Sequence, residues 1–323
     1  MAMEIPAARQ QQVFLLACLA LTAMAAAVNA QTVTVGAGKQ YSTIGGALSA
    51  AGPGTTIAID AGTYREKLTV SKSGIKLMGT GGVATIVWGD TAASSGSTQE
   101  SATVTVASSA SGFTAVSIGF KNDAGPNKRG STNQQGVALY VLADSTFYQC
   151  TMDGHQDTLF AHEGRQYYKG CWISGTVDFA FGAGTAFFED CTMYAKKRVD
   201  SKYATYTAQQ RTSASSRSGF VFLRGSLKCD AGVKAFLGRG WGQYARTIFI
   251  ETSMDDCIRP EGWTTMKSFK TTDDTFFAEY NCTGPGSDRS QRVSWAKELT
   301  PEQAQTFSNR GAFLGGRRRR SRF

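Results

Sequence analysis

Apolar residues along this chain come in short bursts rather than at helical spacing. Segments such as "TTIAIDAGTYREKLTV", "GIKLMGTGGVATIVWG", "GVALYVLADSTFYQC" and "GFVFLRGSLKC" are β-branched or aromatic runs broken by Gly, Asp or Asn. That is the pattern of short strands joined by tight turns. Three segments align under one another: "FYQCTMDGHQDTLF", "YYKGCWISGTVDFAF" and "FFEDCTMYAKK". Each has an aromatic pair, then a cysteine, then a short alternating strand, and Cys150, Cys171 and Cys191 follow one another at nearly constant spacing. A repeat of roughly 20 residues built from strands marks a solenoid, so the expected fold is all-β, a parallel β-helix. Two segments read as helices. "YSTIGGALSAA" (41–51) is placed to cap the open N-terminal end, an edge that otherwise invites aggregation. "TPEQAQTF" (300–307) starts with Thr300 as N-cap, Pro301 in the first helical position and Gln303 in the third. No internal linker is visible, so a single domain is expected over residues 31–315, followed by a basic tail at 316–323.

The repeat brings two acids together. Asp157 follows Cys150 at the same interval as Asp178 follows Cys171. Equivalent positions on successive coils sit about 4.8 Å apart, so the two carboxylates are expected to stack on one face. Gln135 precedes Asp157 by close to one repeat and falls near the same line one coil earlier, and Gln156 adjoins Asp157. Two close carboxylates resist double ionisation, so their pKa values separate, as acid/base work beside a nucleophile requires. The two glutamines are amide donors suited to an oxyanion, and Arg239 in "FLGRGW" is a cation able to hold one aspartate ionised. The competing reading is a pair of turn aspartates bound to backbone. His155 and His162 are the only imidazoles, and His155 reads as a turn or rim residue. Neither a G-x-S-x-G elbow nor a G-x-x-x-x-G-K-[ST] phosphate loop occurs.

Composition narrows the partner. Of 323 residues 41% are apolar, enough for a sizeable core, and the formal charge is +9. A basic balance suits nucleic acid, anionic lipid or an acidic polysaccharide. Residues 1–30 read as a signal peptide, with Arg9 in the n-region, an apolar run from Val13 to Val28 and a Val28-Asn29-Ala30 ending. An exported chain argues against nucleic acid, and no later run is long and apolar enough to span a bilayer. Six cysteines remain after the signal, which permits disulfides. The pairing is open, and Cys150, Cys171 and Cys191 read equally as a buried ladder. A zinc site is disfavoured, since no C-x-x-C pair occurs.

The stretches "AGTYREKL", "QGVALY", "GHQDTLF", "RQYYKGCWISGTVDFAFG", "YTAQQR", "FLGRGW" and "EYNCTGPGSDRSQRVSW" together resemble the plant-type pectin methylesterases (pectinesterases), over roughly residues 32 to 311. The resemblance implies a right-handed parallel β-helix of the pectin lyase-like kind. It also implies hydrolysis of methyl esters of homogalacturonan to pectate and methanol, without metal or other cofactor. Asp178 would then be the nucleophile, and Asp157 the acid that releases methanol and the base that activates water. Gln135 and Gln156 would bind the oxyanion, and Arg239 would hold Asp178. Thr98, Phe160, Phe179 and Trp241 would meet the sugar chain, the two phenylalanines as groove walls. The implied setting is the plant cell wall, outside the cell. The expected form is a monomer, with a proteinaceous pectinesterase inhibitor as a candidate partner. One departure is Gly240, in "LGRGW" where the family has "LGRPW". A second is the lengthened run "KRGSTNQQGVAL", within which Gln135 rather than Gln134 is chosen by register with "GVAL". These departures keep a second reading alive, a catalytically impaired relative that binds wall pectin. A pectate lyase would want a calcium-binding carboxylate cluster, and a polygalacturonase further paired Asp; neither is visible.

Overall fold

The computed structural model describes residues 31–315, except 128, 129, 201 and 267–271. The expected signal peptide and the arginine-rich tail lie outside the described residues. Every strand pair is parallel. One sheet has eight strands: 68–70, 104–106, 139–141, 159–161, 177–182, 204–209, 235–240 and 263–264. The other strands form two further columns, such as 145–148, 165–169, 185–189, 219–223, 246–250 and 276–280 in one, and 118–122, 151–153, 172–175, 192–195 and 226–229 in the other. The long strands 56–65 and 76–88 turn the corner between these columns and merge them into one sheet. The architecture is a right-handed parallel β-helix, as the repeat in the sequence requires.

The repeat is legible in the core. Phe147, Tyr168, Phe188, Phe222 and Phe249 occupy one register position on successive coils. Their rings stack face to face with centroids 4.7, 4.6, 4.4 and 4.7 Å apart. Such spacing is the inter-strand distance imposed on planar side chains, and each pair adds to the area it buries. Cys150, Cys171 and Cys191 form the neighbouring buried column as free thiols, and the disulfide joins Cys229 to Cys257. Between these two columns each coil turns on one residue in left-handed backbone: Ser117, Gln149, Gly170, Asp190, Arg224, Glu251 and Asn281.

Helices cover the first coil and one outer face. The first helix, Ile44–Ala50, buries Ile44, Ala47 and Leu48 over the opening coil. Thr43 Oγ1 accepts from the Gly46 N–H, and the Glu66 carboxylate accepts from the N–H groups of Ile44 and Gly45, each at 2.8 Å. The late helix spans Pro301–Ser308 with the expected capping box between Thr300 and Gln303. With Leu299, Ala304 and Phe313 it covers an outer apolar face made by Phe187, Val221 and Ile248. No helix among the described residues is long and apolar enough to cross a membrane.

Phe188 stacks on both Tyr168 and Phe222 and meets Phe220 edge-on. Phe188→Ala is therefore expected to cost about 3–5 kcal/mol of unfolding free energy, read from denaturant midpoints. A loss below about 1 kcal/mol would mean that the stack is incidental to stability.

Candidate active site

Asp178 stands on strand 177–182 of the eight-stranded sheet, and Asp157 on the turn just before the adjacent strand 159–161. Leu159 pairs with Ala180 and Phe160 with Phe181, so the same register sets Asp157 opposite Asp178. The Asp157 N–H donates to Val177 O at 3.0 Å, locking the two coils at that point. Both aspartates have left-handed backbone, with φ of 65° and 52°. Non-glycine residues adopt that conformation at a cost that functional sites often retain. Around Asp178 the pairing with strand 204–209 slips by one residue between Val177 and Ala180, a β-bulge that re-aims the side chain.

The bulge also changes the role of Phe179. Expected as a groove wall, it is fully buried inside the solenoid and packs against Tyr206 with centroids 5.2 Å apart. Phe181, two residues on, takes the outer position instead. It stacks on Phe160 at 4.2 Å, Phe160 stacks on Tyr140 at 4.6 Å, and Trp241 leans over both phenylalanines. Phe160 lies on the outer side of the sheet, but its neighbours leave it only 1% exposed, so it supports the surface from beneath rather than forming an open groove wall. Phe181 and Tyr140 were missed, although strict alternation in "LYV", "LFA" and "AFG" puts each middle aromatic on the outside.

The two acids differ in their neighbours. Arg239 grips Asp178 with Nε 2.9 Å from Oδ1 and Nη2 2.5 Å from Oδ2. Asp178 is only 7% exposed. Burial raises its pKa, and Arg239 pulls against that rise by charge and hydrogen bonding, with help from Arg198. Asp157 is raised well above the ordinary carboxylate range by burial and then by the charge of Asp178, against which Arg239 and a hydrogen bond from Gln156 act. Burial of the guanidinium opposes its charge, but the two carboxylates outweigh it and keep Arg239 above its ordinary pKa. Both carboxyls thus lie above their ordinary range, Asp157 the further of the two because it meets the charge of Asp178 and has no hydrogen bond from Arg239.

The amides border this pair. Gly136 N–H donates to Gln156 O, so the turn bearing Gln135 lies against the turn bearing Gln156. Gln156 Oε1 accepts from Asn127 Nδ2 at 2.5 Å, which leaves its amide hydrogens for the acid side. Gln135 Oε1 is buried without a protein partner. Thr98 opens a short 3₁₀ turn, and Ser101 Oγ both donates to Thr98 O and accepts from the Val137 N–H, which ties that turn to the Gln135 segment. The structure gives no contact between the Thr98 side chain and the acids. Burial pushes the His155 imidazole down to about 4, consistent with a neutral turn residue.

Gly240 leaves the arginine and tryptophan in register. It pairs with Gln209 at the end of strand 235–240, and the Trp241 N–H donates to Gln209 O at 3.0 Å. Trp241 is 36% exposed. A cleft of about 670 Å³ opens beside the acids, lined by Gln156, Arg198, Lys202, Tyr203, Thr205 and Arg239 among others. Its three cations suit an acidic ligand. Arg198 and Lys202 were missed because "KKRVDSKY" reads as an ordinary solvated loop.

Comparison with known proteins agrees with this geometry. The Pectinesterase family model matches residues 30–317. Putative pectinesterase 14 of Arabidopsis thaliana is 39% identical over 259 residues, 79% of this chain and 76% of that protein. A pectinesterase of Petunia integrifolia is 37% identical, covering 86% of this chain and 77% of that one. The chain spans about half of a relative named probable pectinesterase/pectinesterase inhibitor 58, from Arabidopsis thaliana, at 37% identity. Among solved structures, pectin methylesterase from carrot matches with a TM-score of 0.82 at 31% identity, covering 90% of this chain and 95% of that one. A pectin methylesterase in complex with a hexasaccharide matches with a TM-score of 0.75 at 28% identity, covering 88% and 97%. With the family model spanning the β-helix from end to end, the chain belongs to the pectinesterase family, carboxylic ester hydrolases that remove methyl esters from pectin.

Proposed function

We propose that this chain removes methyl esters from homogalacturonan in the plant cell wall through an acyl-enzyme on Asp178. The observation that carries the reading is the asymmetry of the stacked acids: only Asp178 is held by the Arg239 guanidinium. The ionised Asp178 attacks the ester carbonyl carbon, and negative charge passes to the carbonyl oxygen, where the amide groups of Gln135 and Gln156 donate. Collapse breaks the bond to methoxide, which takes the proton of Asp157 and leaves as methanol. The remaining anhydride links Asp178 to the galacturonate carbonyl. Asp157, now ionised, takes a proton from water as it attacks that carbonyl, and galacturonate departs with Asp178 regenerated. Trp241 offers an apolar face to the sugar ring, with Phe160 packed beneath it. The signal-like N-terminal sequence supports action outside the cell; the expected form is a monomer, and a proteinaceous inhibitor is the partner to test first. The described residues on which this mechanism depends are all present, which favours turnover over simple pectin binding.

Asp178→Ala is expected to abolish methanol release from highly methylated pectin. Asp157→Asn should lower it by about 10²–10⁴-fold, yet release a phenolate-type leaving group from an activated galacturonate ester far better than methanol. Equal loss on both esters would remove Asp157 from the leaving-group role. Arg239 holds the Asp178 pKa down, so Arg239→Lys, which loses the two-pronged grip, should let it rise. The nucleophile is then ionised only at higher pH, and the acidic limb of kcat/KM should move up. An unmoved limb, with only a uniform drop in rate, would mean that Arg239 acts by shape alone.

A further inference from the structure

Outside the cleft, the strongest unexplained feature is a cluster of arginines without acids. Arg211, Arg217 and Arg246 line a second cleft of about 380 Å³ together with Ser216, Phe307 and Phe313. Their hydrogen bonds go to carbonyls. Arg211 donates to Ser216 O, Tyr244 O and Ala214 O; Arg246 to Ser218 O and Arg217 O; Arg217 to Ala312 O. Backbone carbonyls satisfy N–H groups but carry no formal charge, so three positive charges remain uncompensated. None of the ion pairs formed among the described residues includes any of the three. Burial and then the charges of Arg211 and Arg217 push Arg246 down to about 10, with no carboxylate acting against them. Like charges held this close invite an anion.

The cluster is also preorganised. Gln209, fully buried, accepts at its side-chain oxygen from the backbone N–H groups of both Arg211 and Arg246, at 2.8 and 2.9 Å, which fixes where the two arginines leave the chain. Arg246 lies over the rings of Phe307 and Phe313, at 6.0 and 5.7 Å from their centroids. Arginine beside aromatic carbon matches a uronate, which offers a carboxylate on an apolar-faced ring. The cluster is placed to receive a chain leaving the acids. Strands 204–209 and 235–240 carry Thr205 and Arg239 in the first cleft and run directly into the turns that bear Arg211 and Trp241, where the Tyr244 N–H donates to Arg211 O. The described chain ends beside it, with Gly315 against the Arg217 guanidinium, and the sequence goes on through Arg317–Arg320 and Arg322.

We propose that Arg211, Arg217 and Arg246 form a non-catalytic binding site for carboxylates of already de-esterified galacturonate, holding product-like stretches of the polymer next to the cleft. The identity of the ligand rests on the esterase reading above; the existence of an anion site does not. The test is equilibrium binding of fully de-esterified oligogalacturonate to the full mature chain at low salt. The protein is compared with Arg217→Gln and Arg217→Glu, Arg217 being exposed and bonded to a single carbonyl. Lys76→Glu, on the opposite end of the solenoid, is the matched charge reversal. Arg217→Glu is expected to weaken binding about five- to tenfold and Arg217→Gln less, with the difference fading at high salt. Lys76→Glu should bind nearly as wild type, and millimolar inorganic phosphate should compete only weakly. Equal binding by all variants, or an equal loss in Lys76→Glu, would overturn the site. Displacement by phosphate as effective as by the oligomer would overturn the uronate assignment. Methanol release by wild type, assayed separately, reports on the esterase reading, so failure of one is distinguishable from failure of the other.

Discussion

The structure depends on the parallel register that lays each coil on the next. It sets Asp157 opposite Asp178, with the Asp157 N–H bonded to Val177 O. Two unit charges one strand spacing apart repel by about 3 kcal/mol at an effective dielectric of about 20. Neither burial nor proximity alone would tell the acids apart, since both affect the pair. Arg239 breaks the symmetry, because it reaches Asp178 with two N–H groups from the second strand beyond it in the sheet. Division of labour between two identical side chains is thus a property of coil order. The acid gripped by the arginine is the easier of the two to ionise, and the other the harder.

Much of this was legible before any coordinate. Cys150, Cys171 and Cys191, evenly spaced and each behind an aromatic pair, revealed the solenoid, and counting the same interval on from the first two found the stacked acids. The helix cap at Thr300 follows from local chemistry that needs no tertiary context. What stayed hidden depends on breaks in the repeat. Phe179 follows Asp178 directly, and simple adjacency suggested a shared wall. The register slip between Val177 and Ala180 sends Asp178 outward and Phe179 into the core, and no sequence period announces a bulge. Arg198 and Lys202 reach the cleft only because a long turn folds back over the sheet, which a count of coil positions cannot show.

The charge of +9 acquires a location as well as a sign. Many described cations sit in surface pairs, such as Arg65 with Asp123 and Lys67 with Asp90, and such pairs contribute little to stability. Among the described cations outside such pairs, Arg211, Arg217 and Arg246 gather at the corner where strands 204–209 and 235–240 end. A polymer that becomes more anionic as its esters are removed would be held more firmly there as reaction proceeds. At this corner the positive charge matches the chemistry of the product.

Left-handed backbone is used in two ways in this fold, and the contrast separates structure from chemistry. At the corners between the two outer columns the conformation is taken in turn by Ser, Gln, Gly, Asp, Arg, Glu and Asn. The corner demands a direction change and is indifferent to the side chain, so the cost is borne for geometry alone. On the eight-stranded sheet the same conformation falls on Asp157 and Asp178, each just before a run that continues the strand ladder. Extended backbone there would alternate each side chain into line with its neighbours, toward the core or flat against the sheet. The left-handed kink instead frees the carboxylates to face each other and Arg239. Replacing either aspartate conservatively would keep the strain while removing its use, and that is the sense in which the site, rather than the solenoid, requires it.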